Sequence, residues 1–161
     1  MLELHEITLD SYPHEKDKIF DLVSRIWTRE VDAAQAKHSI DRWGTSRTES
    51  GTYFYITEGS EPIGLTGYFI PNLEQGVFGL RHHGTSVKGT GRSSLNLLFD
   101  HLRGRYGDKF KSIVELIPEG REDLISKFGE WGFEIDPEGV PDWEPKKEYY
   151  ERSMVFRRGK E

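Results

Sequence analysis

Residues 84–99, GTSVKGTGRSSLNLLF, bring together Gly84, Gly89 and Gly91, the basic Lys88 and Arg92, and an abrupt apolar run at helical spacing. Such a stretch obliges the chain to start a helix straight out of a glycine turn. A helix N-terminus carries unpaired N–H groups and a partial positive charge of about half a unit, so it suits an anion, phosphate above all. It also suits a plain turn that merely begins a helix, and the flanking sequence has to decide between the two.

Before this stretch the chain alternates or runs apolar. Leu2, Leu4, Ile7 and Leu9 hint at a strand over 2–9 with a slip near His5. Ile19, Leu22, Val23 and Ile26 predict an amphipathic helix over 14–27, and Ala33, Ala36, Ile40 and Trp43 a second over 32–43, with Asp32 as N-cap and Gly44 closing it. TYFYIT and IGLTGYFI, joined by EGSEP, read as a hairpin, and VFGLRHHG as a further strand ending at Gly84.

After it, Leu95, Leu98, Phe99 and Leu102 predict a helix over 92–103, and KSIVELI a short buried strand broken by Pro118, Glu119 and Gly120. Leu124, Ile125, Phe128 and Trp131 predict a helix stopped by Gly132; GFEI is a strand, 136–148 a loop with three prolines, and YYERSMVF a closing strand. The order is βααβββαβαββ, an α+β fold with a mixed, mostly antiparallel sheet flanked by helices. The strand ending in HHG and KSIVELI are expected to run parallel, joined by a right-handed crossover.

At 161 residues and 18.7 kDa a single domain spanning 1–161 is expected. The charged share of 31% is high, but 12% aromatic residues argue against disorder. With no cysteine, disulfides, thiolate metal sites and a cysteine nucleophile are excluded. No apolar run reaches the roughly 20 residues of a membrane span and the N-terminus lacks a signal-peptide pattern, so a cytoplasmic protein with no membrane partner is expected. A net charge of -6 argues against a nucleic-acid partner; it fits either ordinary solubility or an attraction for cations.

Three phosphate loops compete for 84–99. The pattern G-x-x-x-x-G-K-[ST] starts at Gly84 and Gly89 but meets Thr90 and Gly91 where Lys and Ser or Thr must stand. The dinucleotide pattern G-x-G-x-x-G finds Gly89 and Gly91 but Ser94 in third place, and a meander before the loop leaves little room for its parallel sheet. Lys88-Gly89-Thr90-Gly91-Arg92-Ser93 resembles the acyl-CoA loop of the GNAT N-acetyltransferase superfamily, Q/R-x-x-G-x-G/A, with Lys for Gln or Arg and Ser for the last small residue. Downstream, REDLISKFGEWGFE is similar to the superfamily's segment ending in Gly-Phe, here Gly132-Phe133. The two motifs stand at the right separation on the right elements.

The resemblance implies an acetyl-CoA-dependent N-acetyltransferase that transfers acetyl to a primary amine, on a small molecule or a peptide, in a ternary complex and without a metal. It implies a coenzyme A site at Lys88, Gly89, Thr90, Gly91, Arg92 and Ser93. It further implies that the strand before the loop splays from its neighbour and that its last residues meet the pantetheine and the acetyl group, which brings in His83 and His82. Alternating strand faces let only one of them point at the acceptor. A histidine there is a candidate general base, a substrate-recognition group or a hydrogen-bonded structural residue.

Two departures from the superfamily pattern stand out. Phe128 replaces the Tyr that often protonates the leaving thiolate, which opens the alternative of a catalytically weakened CoA-binding or sensing module. Arg121 replaces an Asn beside the pantetheine arm and is either a coenzyme contact or a solvated helix-end charge. Trp143 with Asp136, Glu138, Asp142 and Glu144 either covers an amine substrate or forms a plain surface connection. The acceptor stays open, and a homodimer is among the assemblies the sequence allows.

Overall fold

The computed structural model describes residues 1–45, 51–118, 120–135 and 153–159. It contains β1 (Leu2–Ile7), α1 (Tyr12–Ile26), α2 (Glu30–Thr45), β2 (Gly51–Glu58), β3 (Glu61–Asn72), β4 (Val77–Leu80), β5 (Gly84–Thr85), α3 (Gly91–Tyr106), β6 (Ser112–Pro118), α4 (Glu122–Glu130), β7 (Glu134–Ile135) and β8 (Ser153–Gly159). The strand order is β1-β2-β3-β4-β6-β8-β7, with β5 pairing β3. β4 and β6 run parallel, as a helical crossover between them demands; the other described ladders are antiparallel. The chain divides into two compact units, Met1–Phe69 with Arg81–Leu98, and Ile70–Leu80 with Phe99–Glu161.

In the first unit, α1 buries Tyr12, Ile19, Leu22 and Val23 and takes a proline in its first turn, where a missing N–H costs nothing. α2 buries Ala33, Ala36 and Ile40, residues three and four apart. These faces share a core with Ile7, Tyr53 and Leu65 from the strands. The second unit has its own core, in which Phe110 meets Phe78 and Phe99 edge to face with centroids 5.2 and 5.4 Å apart.

Three local expectations change. α2 starts at Glu30, so Asp32 lies in its first turn rather than capping it, and the helix runs through Gly44 to Thr45. The strand predicted over 77–84 is two pieces: β4 ends at Leu80, and Gly84–Thr85 returns to pair Leu65 and Gly64 of β3. Arg81, His82 and His83 lie between the two pieces, with the Arg81 N–H still donating to the Gly67 carbonyl of β3 at 2.9 Å. The loop with Trp143, Asp136, Glu138, Asp142 and Glu144 lies outside the described residues.

Candidate active site

The glycine loop is built within the first unit. Gly89 has φ +86°, a left-handed conformation that glycine adopts without penalty, and a side chain there would point into open space. The Thr90 hydroxyl lies 2.6 Å from the Val87 carbonyl and 2.8 Å from Thr85 Oγ1, fixing the turn on β5. Helix α3 then opens at Gly91, Ser93 Oγ donates to the Thr90 carbonyl at 3.1 Å, and Lys88, Arg92 and Ser93 are exposed around the helix start.

His83 is 5% exposed and spent at both ring nitrogens. Nε2 lies 2.9 Å from the Gly91 carbonyl and so carries the proton; Nδ1, 2.8 Å from Thr66 Oγ1, accepts from that hydroxyl. Burial holds the ring well below the usual histidine range, at about 4, with the Gly91 bond opposing. The neutral imidazole thus ties β3 to the first residue of α3.

His82 faces a different environment, as alternation requires. It is half-buried, edge-on to Trp27 at 5.9 Å and 84°, with Nδ1 3.3 Å from the Tyr53 hydroxyl. Tyr53 in turn is 2.7 Å from Ser39 Oγ on α2. Arg81 lies over the rings of Tyr53 and Phe69, 5.3 Å from each, and donates to the Tyr68 carbonyl. Burial first, then the Arg81 charge, lowers His82 to about 4, against a smaller pull upward from Asp32. Its Nε2 has no hydrogen bond among the described residues. Tyr53 and Thr66 are sequence-distant partners that nothing in the local sequence announces.

Gly84 permits the approach of this segment to α1. A Cβ there would stand 2.6 Å from Ile26 Cγ2 and 3.1 Å from Trp27 Cζ2.

In the second unit, Phe128 is 6% exposed and packs edge to face against Trp131 and Phe133, at 5.0 and 5.1 Å. Arg121 precedes α4 and forms a two-point pair with Asp123, at 2.9 and 3.1 Å. That hydrogen bond, ahead of the other causes, lowers Asp123 to about 2. Among the described residues no group of three or more histidines and acids is arranged to hold a metal, and no helix is long and apolar enough to cross a membrane.

No family model matches the chain, and no curated protein does. Solved structures match it over nearly its whole length. A Desulfovibrio desulfuricans protein assigned to the GNAT family has a TM-score of 0.67 at 12% identity, covering 100% of both chains. The chain has the GNAT acetyltransferase fold. Aminoglycoside acetyltransferase AAC(6')-Ib, in complex with coenzyme A and kanamycin, gives a TM-score of 0.65 at 15% identity over 99% of this chain and 95% of that one. A variant of spermidine N-acetyltransferase SpeG from Vibrio cholerae gives 0.62 at 11% identity, covering 99% and 94%.

The loop combines a left-handed Gly89, a Gly91 carbonyl bonded by the buried His83, and two exposed cations, Lys88 and Arg92, beside the start of α3, an arrangement that suits an anion of pyrophosphate type. Sequence reasoning set His82 and His83 side by side as candidates. The hydrogen bonds give them separate surroundings, one structural on both sides and one open on one side.

Proposed function

We propose that the chain is an N-acetyltransferase, moving an acetyl group from acetyl-CoA to a primary amine by direct attack in a ternary complex. The observation that carries this reading is the turn at Gly89 delivering the N-terminus of α3 at Gly91 on a GNAT fold. Lys88, Gly89, Thr90, Gly91, Arg92 and Ser93 hold the pyrophosphate, through backbone N–H groups and the two cations. Two of the similar structures are named for transfer to amines, spermidine and aminoglycosides, which supports an amine acceptor of small size.

In the reaction the neutral amine nitrogen bonds the thioester carbonyl carbon, the carbonyl oxygen takes up the charge, and the C–S bond breaks to release the coenzyme thiolate, which is protonated. With no cysteine in the chain, a covalent thioester intermediate on the enzyme has no residue to form on. His82, neutral at pH 7 and with Nε2 open, accepts a hydrogen bond from the amine and orients its lone pair. His83 acts by holding Gly91. Phe128 has no proton to give, and Trp131 and Phe133 enclose it, so solvent or another group protonates the thiolate. We assign the protein to the cytoplasm as a single domain.

Phe128 also motivates a second reading, a CoA-binding or sensing module with weakened turnover. Release of free coenzyme A thiol from acetyl-CoA across an amine panel of spermidine, kanamycin and a peptide with a free N-terminus separates the two. Amine-dependent release supports the transferase. Saturable coenzyme binding without release on any amine supports the module.

A further inference from the structure

β3 and β5 hold the glycine loop from one face, and every residue involved belongs to the first unit. Their antiparallel register sets Gly64 opposite Thr85 and Leu65 opposite Gly84, and the Ser86 N–H extends it by donating to the Ile63 carbonyl at 2.7 Å. Continued the other way, the same register brings Thr66 opposite His83. Thr66 shares its face with Gly64, and His83 with Thr85, because residues two apart in an extended chain point the same way. The missing side chain at Gly64 leaves room there, since a Cβ would stand 3.0 Å from Thr85 Cγ2. Thr85 Oγ1 lies 2.8 Å from the Thr90 hydroxyl, and His83 Nε2 lies 2.9 Å from the Gly91 carbonyl. Two neighbouring cross-strand pairs therefore grip two consecutive residues of the turn into α3.

The two ends of the His83 ring impose opposite demands. A carbonyl only accepts, so the bond to Gly91 puts the ring proton on Nε2 and leaves Nδ1 bare. His83 is 5% exposed, so a bare Nδ1 needs a donor from the protein; Thr66, 0% exposed, supplies its hydroxyl from 2.8 Å. Burial keeps the ring neutral, with its pKa at about 4, which preserves this pattern of one donor and one acceptor at pH 7. Without the hydroxyl, Nδ1 becomes a buried acceptor with no partner, a state the ring escapes by turning away. Gly91 then loses the bond from Nε2 and keeps only the one its place in the helix provides.

Resting on the coenzyme-binding part of the reading above, we propose that Thr66 is a positioning residue for coenzyme A: by donating to His83 it holds Gly91 and the start of α3 in the conformation that receives the pyrophosphate. Being fully buried, Thr66 touches no coenzyme itself. It sets the fraction of molecules whose turn is ready, and the apparent affinity falls in proportion to that fraction. The contact between Thr85 and Thr90 survives when His83 lets go, so the loss is partial.

The test uses two substitutions that remove opposite halves of one side chain. Thr66→Val keeps the shape and removes the donor, whereas Thr66→Ser keeps the donor and removes a methyl group. Acetyl-CoA is titrated calorimetrically into wild type and both variants, circular dichroism confirms folding, and nitrogen NMR reads the His83 ring in the free proteins. Thr66→Val should weaken binding about tenfold and Thr66→Ser by less than about threefold. Wild-type His83 should show a protonated Nε2 and a hydrogen-bonded Nδ1, and Thr66→Val should lose the second signature. A residue that matters only as packing gives the reverse order, with serine the weaker binder, and overturns the assignment. Thr66→Val binding within about twofold of wild type overturns it as well. Two outcomes refute it without a folded valine variant: a wild-type ring protonated at Nδ1, or Thr66→Ser weakened by about tenfold or more. Wild type that does not bind acetyl-CoA overturns the coenzyme reading and this assignment with it, a failure distinct from one confined to the variants.

Discussion

Replacing His83 by alanine tests whether this histidine is a clamp. The substitution removes two hydrogen bonds and strands one buried partner, the Thr66 hydroxyl, 0% exposed, while the Gly91 carbonyl keeps the bond within the helix that its place at the start of α3 provides. Each bond is worth about 1 kcal/mol net and the stranded hydroxyl costs about 1–3 kcal/mol, and with some relaxation the loss at pH 7.5 is expected near 3 kcal/mol. A chain of this size should melt about 6–12 °C lower. The loss should also depend on pH. The folded-state pKa of His83 is depressed to about 4 from 6.5, so between those values the unfolded chain binds the proton and the native state does not. Wild-type stability contributed by this site is therefore full above pH 6.5 and falls as the solution is acidified toward pH 4, by about 2.5 kcal/mol at pH 4.5. The alanine variant has no such site. Urea unfolding of both proteins at pH 7.5 and 4.5, taken as a difference so that other titrating groups cancel, should show the gap shrinking on acidification. A gap of equal size at both pH values, or one under about 0.5 kcal/mol at pH 7.5, refutes the clamp.

Gly84→Ala forces a Cβ to within 2.6 Å of Ile26 Cγ2, and the overlap should cost about 1–3 kcal/mol in urea unfolding; a variant as stable as wild type would show that the HHG segment does not lie against α1. Tyr53→Phe deletes the hydroxyl between Ser39 and His82, and should lose about 1 kcal/mol of stability and raise KM for the amine more than it lowers kcat, in steady-state kinetics with spermidine. Unchanged KM would separate His82 from the acceptor.

The helices and most strands were legible because their apolar residues recur at their own periods: Ile19, Leu22 and Val23 sit three and four apart and all three are buried. The loop was legible because its glycines and charges are contiguous. What escaped was non-local. His83 reads as an extension of β4 until Thr66, 17 residues back, and Gly91, 8 residues on, are seen to claim its two nitrogens. Asp32 has the type and place of a cap because nothing in the sequence shows that α2 starts two residues earlier, at Glu30. By sequence Phe128 is a missing proton donor, and its packing on Trp131 and Phe133 supplies the positive reason for an aromatic ring there.

The central claim is that the Lys88–Ser93 turn and the N-terminus of α3 hold acetyl-CoA. Isothermal titration of acetyl-CoA into wild type and Gly91→Glu, with circular dichroism to confirm that both are folded, tests it most directly. The account predicts saturable one-to-one binding by wild type and a loss of at least about tenfold in the variant, whose carboxylate adds bulk and negative charge at the helix start. Absence of binding by wild type, or equal binding by the two proteins, contradicts it.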